Sequence, residues 1–104
     1  KLTSVGGQNF GIEIGTAGIT SPGDFIEQGF DPSTAGQIDE AFATQIPDVR
    51  WTSNLYQGYV RLLLTQARVT TDYIAVSTVN DRHYHTSTIR QERIIRDDQS
   101  LKFV

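Results

Sequence analysis

The sequence of 104 residues contains no cysteine and no methionine, and it has only three prolines and one tryptophan. Without cysteine the chain cannot form disulfides, use a thiolate nucleophile or hold zinc through cysteine. Because translation begins at methionine, we expect that a segment was removed before Lys1. That segment is either the initiator or a tag of a small complete protein or, in the interpretation that we favour, the larger part of a longer protein.

Charge is also sparse, since 12 acidic and 9 basic residues leave a net charge of −3. Proteins that bind DNA or RNA through phosphates usually carry a basic excess, so we predict no nucleic-acid partner. No stretch approaches the roughly 18 apolar residues of a membrane span, and we predict no membrane association. The length and the hydrophobic fraction of 38% suit one globular domain over residues 1–104.

The N-terminal part of the chain changes character at Phe10. Residues 1–9 are rich in small polar residues and glycine, and they predict a flexible lead-in. From Phe10 to Ile14 apolar residues alternate with others, which predicts a strand. Gly15, Gly18 and the turn-forming residues after them end that strand.

One helix is expected in the first half. Asp31 and Pro32 form a typical helix start, because Asp accepts hydrogen bonds from free amides and Pro fits the first turn. Pro47 cannot continue a helix, so the main helix is predicted over about residues 32–46. An apolar stripe at helical spacing runs along it, formed by Ala35, Ile38, Phe42 and Ile46.

The second half is rich in β-branched residues and predicts strands separated by short turns. The predicted strands cover about residues 58–64, 69–79, 85–95 and 101–104. With the first strand they predict an α+β fold, in which a mostly antiparallel sheet of four to five strands carries the helix on one face. Because the first of these strands is apolar on both faces, it requires cover on both faces. We therefore expect that neighbouring structure is missing, either the rest of a longer chain or a second copy of this one.

Few side chains indicate chemistry. His83 and His85, the only histidines, lie two residues apart and would point to the same side of an extended segment, as metal ligands can. Solvated side chains in a hairpin loop are the commoner alternative, because the sequence places no third ligand beside them. The adjacent acids Asp39-Glu40 and Asp97-Asp98 predict solvated surface, since neighbouring residues do not face one target.

The seven arginines outnumber the two lysines, and their alternation with acids predicts salt-bridge pairs on a sheet surface. The glycine-rich stretches have the spacing of neither a dinucleotide fingerprint nor a phosphate-binding loop. No serine lies in a nucleophile elbow. From the residues alone we assign no catalytic, substrate-binding or metal-binding residue in this chain.

Four stretches nevertheless resemble one family in order and in spacing. They are residues 10–23 (FGIEIGTAGITSPG), 54–69 (NLYQGYVRLLLTQARV), 78–81 (TVND) and 86–88 (TST). Together they resemble the C-terminal part of PhoD-type alkaline phosphatases, and the resemblance spans about residues 10–95. The chain departs from the family at Arg61-Leu62-Leu63, where the family often has a Leu-Asp-Leu pattern.

The resemblance implies a parent enzyme that hydrolyses phosphate monoesters or diesters and is exported from the cell. It implies divalent metals such as calcium, with iron possible, held by Asp, Asn and His motifs that precede Lys1. The resemblance also implies that the parent's core is a two-sheet sandwich. This chain would then be a fragment of that larger two-sheet sandwich, a structural C-terminal segment that is inactive alone and has no cofactor of its own. Its Thr20–Gly23 turn would lie near the rim of the enzyme's pocket.

Two other functions stay open on the sequence. One is a small independent β-rich interaction module that self-associates through its sheet edges and has no catalytic activity. The other is a metal protein that uses His83 and His85. The expected partner is the remainder of the parent chain or a second copy of this chain.

Overall fold

The computed structural model describes residues 2–6 and 8–104. Its elements in chain order are β1 (Leu2–Val5), β2 (Gln8–Ile12), α1 (Asp24–Glu27), α2 (Pro32–Gln45), β3 (Gly58–Leu64), β4 (Arg68–Val76), β5 (Thr86–Asp97) and β6 (Ser100–Phe103). Four strands form an antiparallel sheet in the order β3-β4-β5-β6, and β1 pairs with β2 separately. The predicted α+β class is therefore confirmed.

The large sheet is a meander in which each strand turns back beside the one before it. The hydrogen bond from Thr65 N to Arg68 O (2.9 Å) closes the turn between β3 and β4. Asp98 lies in the turn between β5 and β6 with a φ of 54°, a left-handed conformation that Asp adopts more readily than most residues. All four strands predicted in the second half are present; β3 has the predicted ends, and the ends of the other three differ by one to three residues.

A hairpin forms near the N-terminus, where the sequence predicts a flexible lead-in over residues 1–9. Gly6 has a φ of 60° and supplies left-handed backbone between the two strands. Asn9 N donates a hydrogen bond to Ser100 Oγ (3.1 Å), so β2 lies beside β6. The structure thus differs from the expected lead-in, because backbone pairing organises strands whose side chains give little apolar signal.

Helix α2 begins and ends where the sequence predicts. Asp31 has extended backbone, and its Oδ1 accepts a hydrogen bond from Thr34 N (2.9 Å). That backbone donor is the main cause that lowers the pKa of Asp31 from its ordinary value of 3.8. At the other end, Ile46 N donates to Phe42 O (3.1 Å), and Pro47 follows. The cap and the proline therefore set the helix length.

The apolar stripe of α2 is only partly covered. Ala35 is fully buried and Ile38 is half-buried, whereas Phe42 and Ile46 are 42% and 39% exposed. Among the described residues, no Cα atom of α2 lies within 8 Å of a Cα atom of a strand. The short helix α1, by contrast, lies within that distance of α2. The helix therefore reaches the sheet through the intervening segment, residues 46–57, which we call the connector.

Two contacts of the connector join helix and sheet. Asn54 donates through its backbone N (3.0 Å to Oδ2) and its side-chain Nδ2 (2.6 Å to Oδ1) to Asp39 on α2. On the sheet side, the rings of Trp51 and Tyr73 meet edge to face, with centroids 4.7 Å apart. The prediction of solvated surface is wrong for Asp39, which is half-buried, because the connector folds back over the helix; Glu40 beside it is exposed.

The core that results is small. Its buried apolar residues are Ala35, Ile74, Ala75, Val76 and Ile94. The accessible surface is 7449 Å² for a mass of 11.6 kDa, whereas a compact monomer of that mass exposes roughly 5,800 Å². The radius of gyration of 15.4 Å likewise exceeds the about 13 Å of a compact chain of this length. A large apolar surface therefore stays in contact with water.

Thr71 in the centre of β4 gives a test of this core. Its side chain is fully buried, and its Oγ1 has no hydrogen-bond partner in the described part of the chain. Thr71→Val keeps the shape and removes the unpaired hydroxyl, so the free energy of unfolding should rise by about 1 kcal/mol. Urea unfolding measures the change.

The matched control is Thr70→Val, at the neighbouring half-buried position on the opposite face of the sheet. We expect it to change the free energy of unfolding by less than about 0.5 kcal/mol. A loss of stability in Thr71→Val would show that the hydroxyl has a partner after all.

Candidate functional site

An open cleft of about 450 Å³ lies between the connector, the start of β3 and the segment after β2. Aromatic side chains form much of its wall: Trp51, Tyr56, Tyr59 and Tyr73. Polar groups interrupt that wall: Glu13, Thr16, Thr52, Ser53 and Gln57. A second cleft of about 420 Å³ lies between α2 and the connector and shares Trp51 and Tyr56 with the first. The connector therefore forms one wall of both clefts.

Gln57 joins the two sides of the first cleft. Its side-chain amide donates to Gly18 O (2.7 Å) and accepts from Gly23 N (2.8 Å) when its nitrogen faces the Gly18 carbonyl. The next residue, Gly58, donates its backbone N–H to the same carbonyl (3.3 Å). These bonds attach the segment from Gly18 to Gly23 to the beginning of β3.

Trp51 is held in the cleft wall by charged neighbours. The guanidinium of Arg90 lies 5.3 Å from the centre of a Trp51 ring. Glu92, which is buried, accepts from Arg90 Nε (2.7 Å) and from Arg50 Nε (3.1 Å). Burial, and then the carboxylate of Glu92, raises the pKa of Tyr73 above its ordinary value of 10.0, while Arg90 opposes this. The tyrosine is therefore neutral at physiological pH.

A second ion pair lies on the opposite face of the sheet. Arg61 on β3 donates through Nε (3.1 Å) and Nη2 (2.8 Å) to Asp72 Oδ2 on β4. Gln91 on β5 donates to the other oxygen of Asp72 (2.7 Å). The Gln91 hydrogen bond is the largest cause that lowers the pKa of Asp72 below 3.8, and the Arg61 contact is the next. The network connects three adjacent strands.

The structure places both histidines in the loop between β4 and β5. His83 is almost fully exposed, and its Nδ1 lies 3.3 Å from Asp81 Oδ1, while His85 N donates to Ser77 Oγ (3.0 Å). Within residues 2–6 and 8–104, no three His, Cys, Asp or Glu side chains lie together in a way that would hold a metal ion. The resemblance places the ligands of the implied metals before Lys1, so this finding does not bear on them.

The arginine prediction is confirmed in part. Arg50, Arg61 and Arg90 form ion pairs with acids. Sequence reasoning missed that Arg90 and Glu92 form an ion pair beside Trp51, although two residues at i and i+2 on a strand share one face. It also missed Gln57, whose bonds to glycine backbone leave no pattern in a sequence. The first cleft offers hydroxyls, an amide, aromatic rings and the carboxylate of Glu13, a set of groups that suits the binding of a polar ligand.

The chain has no match among protein-family models, curated proteins or solved structures. The likeness to PhoD-type phosphatases thus stays a prediction based on the quoted stretches. Among the helices that the structure describes, none combines the length and apolar character needed to cross a membrane.

The Asp72 network predicts a pH dependence of stability. Because the folded-state pKa of Asp72 is lowered, its contribution is present above the ordinary pKa of 3.8 and is lost as the pH falls through the folded value. The free energy of unfolding, measured by urea at a series of pH values, should therefore decline below about pH 4. Asp72→Asn should flatten this decline.

The exposed Glu40 serves as the control, since Glu40→Gln changes a carboxylate outside the network. We expect that variant to keep the decline of the natural sequence. An unchanged pH profile in Asp72→Asn would show that Gln91 and Arg61 do not stabilise the ionised carboxylate.

The beginning of β3 is predicted to require glycine. A Cβ on Gly58 would overlap the carbonyl oxygen of Ile74 and lie 2.9 Å from its carbonyl carbon. Gly58→Ala should therefore lower the free energy of unfolding by about 3 kcal/mol, because backbone of β4 must move. Thermal and urea unfolding followed by circular dichroism measure the loss.

Gly36 on α2 is the matched control, because a Cβ there meets no atom within 4 Å. Gly36→Ala should stabilise the chain by about 1 kcal/mol through helix propensity. Equal effects of the two substitutions would contradict the assigned contact at Gly58.

Proposed function

We propose that this chain is a C-terminal structural segment of a PhoD-type, metal-dependent phosphate-ester hydrolase and is inactive alone. The observation that carries the proposal is the meeting of the two longest stretches of the resemblance. Residues 10–23 and 54–69 are far apart in sequence, yet Gln57 and Gly58 hydrogen-bond to Gly18 and Gly23. Because the two stretches contact each other in the fold, both are expected to be retained among the members of one family.

The other two stretches lie at the same end of the sheet. Gly58 pairs with Ala75 on β4, and Ala75 pairs with Ser87, within the 86–88 stretch on β5. The 78–81 stretch belongs to the loop between these strands. Parts of all four stretches therefore lie near one end of the sheet, which supports a shared role in building the fold.

The uncovered surface also favours a segment of a larger protein. Both clefts are open, and the sheet exposes apolar side chains that a second layer would bury. In the proposed enzyme this chain supplies outer strands and α2, while other parts hold the metals, calcium with iron possible. Such metals activate water for attack at phosphorus. Export of the parent enzyme belongs to the same proposal.

The test compares the longer protein with this chain. We expect Asp, Asn and His ligand motifs in the coding sequence before Lys1. The longer protein, supplied with calcium and iron, should hydrolyse p-nitrophenyl phosphate or its bis ester, and a chelator should abolish turnover. Turnover by the 104-residue chain alone, or an inactive metal-loaded longer protein, would contradict the proposal.

A second candidate function is an independent interaction module without catalytic activity. It is favoured by the exposure of Leu62, Leu63 and Leu64 on both faces of β3. A start codon directly before Lys1 and the absence of upstream ligand motifs would favour this module over the hydrolase segment.

A further inference from the structure

Strand β3 is an edge of the four-stranded sheet and pairs only with β4 among the described residues. Two backbone hydrogen bonds show its orientation: Val76 N donates to Gln57 O (2.9 Å), and Thr65 N donates to Arg68 O (2.9 Å). Backbone groups alternate in direction along an antiparallel strand. The odd-numbered residues of β3 therefore bond to β4, and the even-numbered residues direct N–H and C=O away from the sheet.

Most of this outward edge is open for pairing. Gly58 N already donates to Gly18 O (3.3 Å), which closes one end. The residues with open outward backbone groups are Val60, Leu62 and Leu64. The opposite edge of the sheet differs, because β6 has the β1–β2 hairpin beside it, with Asn9 bonded to Ser100. In the part of the chain that the structure describes, one edge is thus covered and the other has no neighbouring strand.

The free edge is apolar and regular. Leu62, Leu63 and Leu64 are 47%, 63% and 68% exposed, on alternating faces of the sheet. The pairing of β3 with β4 shows no bulge, and β3 contains neither proline nor lysine. Soluble proteins usually protect free edges with such features, since an unprotected edge pairs with another strand. A strand is therefore the occupant that fits.

We propose that two copies of this chain pair through β3 in antiparallel orientation, with Leu62 opposite Leu62 of the second copy. In this register Val60 lies opposite Leu64 of the second copy. All three open residues then face one another, and each such pair exchanges two backbone hydrogen bonds. The two sheets join into one, and the leucines of one face form a continuous apolar surface across the two-fold axis.

Charge selects this register over its neighbour. A register centred on Arg61 would place two guanidinium groups directly opposite each other, which is unfavourable. The proposed register, which is centred on Leu62, instead places Arg61 opposite Leu63 of the second copy, where the aliphatic stem of the arginine can pack. The charge of Arg61 is already paired with Asp72 in its own chain, at 2.8 Å. Strand β3 thus brings no unpaired charge to the interface.

The available area meets the requirement of a dimer. The surface of 7449 Å² exceeds that of a compact monomer by roughly 1,600 Å². A standard interface buries about 800 Å² on each partner. The excess surface is therefore large enough to include an interface of normal size. This inference rests on the described chain and is independent of the proposed parent enzyme.

Sedimentation velocity tests the dimer directly. At micromolar concentration we expect the natural chain to sediment as a dimer, with twice the 11.6 kDa mass of one chain, and to form no larger oligomers. Leu62→Lys places like charges opposite each other and should weaken the dimer by about a hundredfold. Tyr84→Lys changes a similarly exposed side chain that lies in a loop, and it should leave the affinity of the dimer unchanged. Circular dichroism checks that both variants stay folded.

A monomeric natural chain would overturn the proposal and assign the edge to another chain or to a further segment of this protein. A dimer that is insensitive to Leu62→Lys would overturn it as well, because the interface would then lie elsewhere. Oligomers larger than a dimer would contradict the finding that the β6 edge is covered, because they require a second open sheet edge.

Single cysteines test the register, because the chain has no cysteine of its own. Directly opposed residues of a hydrogen-bonded pair lie about 5.5 Å apart between Cα atoms, within reach of a disulfide. Leu62→Cys should therefore cross-link two chains on mild oxidation. Leu63→Cys, one residue away and on the other face, should cross-link at least about tenfold more slowly. The reverse order of rates would overturn the register.

Discussion

The close approach of β3 to β4 at Gly58 is the constraint on which this end of the molecule depends. A side chain there would overlap the carbonyl of Ile74, so the two strands can pair in this register only because position 58 is glycine. With Gly58 against β4, its own N–H points outward and donates a hydrogen bond to the Gly18 carbonyl. Gln57 is then positioned to bridge Gly18 and Gly23.

The connector transmits this order to the helix. Trp51 packs against Tyr73 and beneath Arg90. The sheet is therefore covered at this point by the Trp51 ring of the connector and not by a face of α2. Asp39 binds the backbone and side chain of Asn54 and ties α2 to the same segment. The helix is therefore held by polar bonds at a distance from the strands, and the apolar core between the layers stays small.

The exposed surfaces differ in character, and this difference separates the two proposals. The first cleft contains aromatic rings, hydroxyls, the Glu13 carboxylate and the Gln57 amide, and it lies where the two longest stretches of the family resemblance meet. The β3 edge carries leucines and open backbone groups, which recognise a strand. A parent enzyme would supply the missing layer over the clefts, whereas the β3 edge can be satisfied by the chain itself.

Local physical chemistry let the sequence by itself determine the elements of this protein. The Asp31 cap, Pro47 and the β-branched runs act through neighbouring residues, so α2 and the strands of the large sheet were predictable. Only the tertiary structure decided the contacts between distant residues. The Asn54 bond that half-buries Asp39, the pairing of Arg50 and Arg90 with Glu92, and the hairpin beside β6 depend on how the backbone folds back. Two adjacent acids such as Asp39 and Glu40 are typical of solvated surface. Asp39 is half-buried only because the fold brings the donors of Asn54 to its carboxylate.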